Sequence, residues 1–445
     1  MEKILNKLRE GTFNNYILGI FLVSLLLVPP IQILNFRFRF QLIDFFIPIF
    51  LWMIIYNKWY KNWNLLYVKN ILFLMGVIIL SILINKQWSA VNDWFEIYRV
   101  FKYFLVFILF KELCPQKINT VFIDIIFVCL LIFNFLHYHN IFDFNQIIMP
   151  LYCVENSVQL TLFGLNSVGL PAAKRMIGTM GNPNDNAILF LVFMLFYLPR
   201  KEWKVKDMCF FILCLIAFLA CQSRTSLVAF FVIILVNFLI IRIKWQKVLA
   251  YSGMIMLVMT VFFYNHKIID FFHSKYIAYI ETIPIVVDTI TAQLSETVIM
   301  PVTKPVETNY SLTLLDGTAI KSDSWTIRVN LWKNFLSQFL ERQILGHAPQ
   351  KNHFYEQKLY FENEYVLFLW RYGILGFIAF VGFYLIPVKR IFKTMLSSEL
   401  SKNTLLLIML FAICGLTNVP LTNTILSLLF FSYLGVFYSQ KYELT

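Results

Sequence analysis

Ser226-Leu227-Val228-Ala229-Phe230-Phe231-Val232-Ile233-Ile234-Leu235-Val236-Asn237-Phe238-Leu239-Ile240-Ile241 carries no charge, and Arg242, Lys244 and Lys247 close it on the far side. A helix needs about 20 mainly apolar residues to cross roughly 30 Å of hydrocarbon. In lipid every backbone N–H and C=O must be paired within the segment, so such a run folds as a helix. The pattern recurs at 186–198 and 248–264. Of the 445 residues, 59% are hydrophobic and 14% charged. A soluble domain of this size carries about a quarter charged residues. The chain reads as a polytopic integral membrane protein.

Twelve spans are expected, at about 15–34, 40–56, 70–85, 98–112, 118–138, 186–199, 208–222, 225–242, 247–264, 364–388, 402–418 and 421–438. The fourth, sixth and seventh are short for full crossings. Short cytoplasmic loops collect Lys and Arg. Placing the N-terminus inside puts Lys3, Lys7, Arg9, Lys58, Lys61, Arg200, Lys201, Lys204, Lys206, Arg242, Lys244, Lys247, Lys389, Arg390 and Lys393 on the inner face. An even count returns the C-terminus to the same side. The N-terminus reads as a retained first helix, because no small-residue cleavage pattern follows it. One membrane domain, 1–445, is expected, with a large outer loop at 265–363 between spans nine and ten and a second at 139–185. Loops of this length are usually functional.

The net charge of +13 is that of a chain whose cations hold its topology, and no aromatic-basic motif for nucleic acid appears. The seven cysteines mostly lie inside apolar blocks, and no Cys/His spacing suggests a metal or a disulfide framework. Also missing are a phosphate-binding Walker loop, an Asp-x-Asp pair, an HExxH and a GxSxG. No metal and no cofactor are expected.

Four stretches carry candidate chemistry. Arg224, in Cys221-Gln222-Ser223-Arg224-Thr225-Ser226, joins two apolar blocks with almost no loop. An arginine there either snorkels to headgroups or serves a site. The stretch Arg175 to Asn186 contains Gly181-Asn182-Pro183-Asn184, a break followed by a helix cap. Its helix begins at the outer face, so its N-terminal amides are either plainly capped or turned to an anion. Asp323 or Ser324 can cap a helix that Gly346 ends, with Arg328 on the face of Trp332, Phe335 and Phe339. The partner of Arg328 is then a loop carboxylate or an anionic ligand. Glu362-Asn363-Glu364 stands where the large loop re-enters the membrane, with Gly373 and Gly376 spaced for close helix packing. Glu362 either complements the helix dipole or, with its pKa raised by a dry site, accepts a proton. Aromatics of the large loop, among them Tyr276, Trp325 and Tyr355, read mostly as loop core and interfacial belt.

In these stretches the sequence resembles the O-antigen polymerase and O-antigen ligase superfamily of bacterial inner membranes. Arg175 to Asn184 resembles its Arg, Gly and Asn-Pro-Asn segment, and Ser223-Arg224-Thr225 its Ser-Arg-Thr junction. Arg328, Trp332 and Gly346 resemble its outer-loop Arg–Trp–Gly pattern. Asn363, nine residues and then Gly373-Ile374-Leu375-Gly376 resemble the ligases' His-Asn and Gly-x-x-Gly motif. The resemblance spans about 175–377. Glu362 stands where the ligases have His, and an acidic residue before Asn-Glu-Tyr looks more like the polymerases.

The resemblance implies an all-α polytopic membrane helix bundle of about twelve transmembrane helices, glycosyltransferase C-like, with one large outer-face helical loop. It implies the bacterial inner membrane, with a periplasmic site. The implied reaction is an inverting transfer of a glycan from undecaprenyl diphosphate to another lipid-linked repeat unit. Arg224 and Arg328 are expected on the leaving diphosphate, since guanidinium forks bind phosphate oxygens in pairs. Glu362 is the expected base. Arg175, Asn182, Asn184, Asn363 and Trp332 are expected to bind substrate. The implied partners are undecaprenyl-diphosphate-linked oligosaccharides, the lipid bilayer and a chain-length regulator, with no nucleic acid. Two rivals stay open: a ligase passing the polymer to lipid A core, and a flippase of lipid-linked sugars.

Overall fold

The computed structural model describes residues 11–32, 39–59, 61, 65–113, 120–153, 165, 174–200, 203–241, 245–262, 324–351, 362–394 and 398–439. Most of the expected large loop, at 265–323 and 352–361, lies outside them, as does much of the second loop. The described chain is helical. In order come α1 (Gly11–Leu26), α2 (Leu42–Tyr56), α3 (Leu66–Ile84), α4 (Val91–Leu113), α5 (Thr120–His139), α6 (Pro183–Met194), α7 (Val205–Ala220) and α8 (Arg224–Ile241). Then follow α9 (Trp245–Phe262), α10 (Ser324–Phe339), α11 (Glu364–Thr394), α12 (Glu399–Cys414) and α13 (Thr424–Ser439). Two-residue strands, Ile31–Gln32 and Arg39–Phe40, pair antiparallel between α1 and α2.

Each expected apolar stretch overlaps a helix. Among the described residues, Leu66–Ile84, Val121–His139, Trp245–Phe262 and Glu364–Phe392 are long and apolar enough to cross a membrane alone. Leu42–Tyr56, Arg224–Ile240 and Thr424–Ser439 are apolar but shorter. At 12 residues α6 is about 18 Å long, too short for a crossing by itself. Large apolar side chains stand exposed along the outside, such as Leu239, Leu249 and Met256. That surface suits an apolar solvent.

The core forms where α13, buried along most of its length, lies against α4. Tyr103 stacks on Phe431 at 4.8 Å, and a Cβ added at Gly435 would lie 2.7 Å from the Phe107 carbonyl oxygen. Only a residue without a side chain lets the two backbones approach this closely. On the other flank α3 meets α11, where the Asn70 side chain donates to Ala379 O at 2.7 Å.

Gly373 serves differently from the close packing its spacing suggests. Its φ of 64° and ψ of −163° break α11 into 364–372 and 374–394. A Cβ there would lie 2.3 Å from Ile344 O. The backbone groups freed by the break are paired by segment 343–348. Ile374 N–H donates to Gln343 O at 2.8 Å, and His347 and Ala348 donate to Trp370 O and Arg371 O at 3.0 and 2.9 Å. Gly346, with φ 63°, faces the same carbonyls, and its Cβ would lie 2.5 Å from Trp370 O. The two glycines form a clasp that ties the loop to the bundle. It also carries α10, which ends at Phe339 rather than at Gly346.

Candidate active site at one end of the bundle

The turn between α12 and α13, 415–423, is where the candidate segments meet. Glu364 N–H donates to Gly415 O at 2.8 Å, and Glu364 Oε1 accepts Thr422 N–H at 2.9 Å. Arg99 Nη1 donates to Thr422 O at 2.7 Å, and Tyr103 OH to Leu421 O at 3.1 Å. Asn423 Nδ2 donates to Asp185 Oδ2 at 2.8 Å. The hydroxyls of Thr225 and Thr417 bond each other. One short turn therefore gathers the starts of α6, α8 and α11 with the middle of α4.

Arg224 is the first residue of α8 and exposed, one residue before the threonine on the turn. Glu362 is half-buried, two residues ahead of the glutamate on the same turn. The shared turn relates these two residues. Arg175 is held: Nε donates to Cys221 O at 3.0 Å and Nη2 to Asn184 Oδ1 at 2.9 Å, which joins the Asn-Pro-Asn segment to the Ser-Arg-Thr junction. Asn182 caps α6 by accepting Asn184 N–H at 2.8 Å. Behind it Asn186 is fully buried and donates to Asn134 Oδ1 at 2.9 Å. Asn363 caps α11 as well, its Oδ1 accepting Val366 N–H at 3.0 Å. Trp332 is half-buried on α10, while the side chain of Arg328 lies outside the described residues. That helix is seated on Trp370, whose ring meets Phe335 and stacks on His347 and whose Nε1–H donates to Gln338 Oε1 at 3.1 Å.

A cluster of charges at this end lies outside the four stretches the sequence singles out. Glu96 is fully buried and meets Arg99, Lys351 at 2.8 Å and Arg371 at 3.8 Å. Asp93, in the first turn of α4, accepts the N–H groups of Gln350 and Lys351 at 3.2 and 2.8 Å. Glu96 lies ahead of the apolar run that begins at 98. Burial opposes its charge, but Arg99, Lys351 and Arg371 outweigh it and hold the carboxyl at about 2. Burial lowers the Lys351 ammonium and raises Asp93. One turn further on, Lys102 pairs with Asp44 of α2 at 2.9 Å. The readable signal was charge at every third position, Asp93, Glu96, Arg99 and Lys102, inside a helix otherwise suited to a membrane. Such a row winds slowly around the helix, so Glu96 faces the clasp while Lys102 faces α2.

Asp185, ahead of the apolar run from 186, is half-buried. Burial pushes its carboxyl up to about 6, with the Asn423 hydrogen bond pulling the other way. This end of the bundle thus combines exposed and anchored guanidinium groups with carboxylates in distinct environments. Such an arrangement suits an anionic leaving group and a proton transfer. Among the described residues no cluster of His, Cys, Asp and Glu could hold a metal ion.

Residues 209–381 match the protein-family model described as O-Antigen ligase, a stretch that holds Arg224, Arg328, Glu362, Asn363 and both glycines of the clasp. No curated protein matches the chain. The match covers less than half of the sequence and leaves Arg175 and the Asn-Pro-Asn segment outside it. Members of this family are glycosyltransferase-like enzymes, polymerases or ligases. The matched residues support placing the chain in the O-antigen ligase/polymerase superfamily.

Proposed function

We propose that the chain polymerises lipid-linked oligosaccharides, moving a glycan from polyprenyl diphosphate to the non-reducing end of another lipid-linked unit on the periplasmic face of the bacterial inner membrane. The observation that carries this reading is the turn at 415–423, which gathers the start of the Arg224 helix and the start of the helix that follows Glu362. A diphosphate leaves with negative charge, and fixed guanidinium groups stabilise it as it develops. Arg224 and Arg328 meet that diphosphate, with Arg175, held on Asn184, as a further cation. Glu362 and Asn363 receive the acceptor. Asn182 and Asn184 shape the α6 start, and Trp332 offers a sugar face a ring to stack on.

The test is polymer length in a deletion strain complemented with variants at matched expression. Arg224→Ala and Arg328→Ala should each shorten or abolish the ladder, and Arg→Lys at either position should impair it, because the paired geometry is lost. Long chains from both alanine variants would overturn the assignment. The printed family description favours a second reading, transfer of the finished polymer to lipid A core. The deletion strain separates the two: loss of a polymerase leaves core capped by a single repeat, loss of a ligase leaves bare core. Flux of lipid-linked sugar without glycan products would instead mark a flippase.

A further inference from the structure

We propose that Asp185 is the proton acceptor of the transfer, a role that rests on the glycosyl-transfer reading and leaves Glu362 to bind the acceptor. The carboxylates around it are sealed or paired. Glu364 is fully buried, with Oε1 on Thr422 and Oε2 shut away from solvent, Glu96 is ringed by three cations, and Asp44 pairs with Lys102. Asp185 differs from them. It is half-buried, Oδ2 accepts Asn423 Nδ2 at 2.8 Å, and Oδ1 has no hydrogen-bond partner among the described residues. Its sequence neighbour Asn184 holds the Arg175 guanidinium.

The Asn423 amide cannot turn over. Its Oδ1 caps α13 by accepting Ile425 and Leu426 N–H at 3.0 and 3.3 Å, so its Nδ2 must face Asp185. A fixed donor on one carboxylate oxygen sets the orientation of the carboxylate in the first turn of α6. Among the described residues, the titratable groups that interact with Asp185 are Glu364 of α11 and Cys414 of α12. A carboxyl held at about 6 is largely ionised at neutral pH, yet more basic than an ordinary aspartate, as a general base requires.

In the step itself the acceptor hydroxyl oxygen forms its bond to the anomeric carbon while the bond from that carbon to the diphosphate oxygen breaks. The bonding pair leaves with the diphosphate, and the hydroxyl proton moves to Asp185 Oδ1.

Asp185→Asn is the decisive variant. Its amide oxygen still accepts from Asn423, so the bond between α6 and the turn survives while the proton acceptor is lost. The full chain is assayed in nanodiscs on lipid-linked repeat units extracted from the deletion strain. Asp185→Asn should lower kcat by roughly 10²- to 10⁴-fold, the contribution of a general base, with KM and melting temperature close to the parent's. The parent rate should fall as pH drops through about 6, and Asp185→Glu should keep measurable activity with that acid limb displaced. Glu362→Gln should raise KM more than it lowers kcat. Asp185→Asn turnover within threefold of the parent would overturn the proposal. Should that variant fail to fold, an Asp185→Glu enzyme with the parent's acid limb would overturn it equally. A parent that makes no polymer from these units removes the glycosyl-transfer reading itself, a distinct outcome.

Discussion

Glu96→Gln isolates the charge cluster that ties loop to bundle. The carboxylate is fully buried, and Lys351 and Arg371 stand 2.8 and 3.8 Å from it with Arg99 in contact. Its carboxyl drops from an ordinary 4.5 to about 2 in the folded chain. At about 1.4 kcal/mol per pH unit, the ionised form contributes about 3 kcal/mol of stability at neutral pH. Breaking a buried pair by removing one partner typically costs about 3–5 kcal/mol, because the remaining charges stay uncompensated. Because the folded pKa is depressed, the contribution is complete above 4.5 and disappears as pH falls toward 2. The assay is SDS-driven unfolding of the purified chain in detergent at several pH values. Glu96→Gln should lose about 3 kcal/mol at pH 7 and should lack the part of the parent's acid sensitivity that belongs to this carboxyl. A loss below about 1 kcal/mol at pH 7, comparable with an exposed surface pair, would refute the reasoning.

Gly373→Ala should cost at least about 2 kcal/mol, since its backbone angles suit glycine almost alone and a Cβ would lie 2.3 Å from Ile344 O. Melting temperature and faster tryptic cleavage at Arg342, just ahead of the clasp segment, report it. Trp370→Phe keeps the ring against His347 and Phe335 but loses the hydrogen bond to Gln338, for about 1 kcal/mol, whereas Trp370→Ala should cost about 3–5 kcal/mol. Equal losses from the two, measured by the same unfolding assay, would show that ring packing contributes little to seating α10.

The helices were legible because membrane solvation leaves a long apolar run little other choice, and each expected stretch overlaps one. The Asn182 cap was legible too, because Asn before Pro at a helix start has a local cause. The charges of α4 are not legible in the sequence because their partners are far away in the chain. Glu96 acquires its meaning from Lys351 and Arg371, some 250 and more residues later. Asn423 looks like an ordinary cap in sequence, and its second role exists only because α6 approaches it. Gly373 was misread for a similar reason. A glycine spaced for packing and a glycine that breaks a helix look alike until the segment filling the gap, 343–348, is in view.

Ribosomes deliver this chain from its N-terminus, so the turn at 415–423 emerges after almost everything it will bind. Until then the Glu364 carboxylate and the Arg99 guanidinium both lack a partner they hold in the finished protein, although their helices have long since been made. Assembly of this end thus waits until α12 and α13 have been made and inserted. A nascent chain stalled before that point would present the insertion machinery with unneutralised polar groups, and such intermediates are natural targets for membrane quality control.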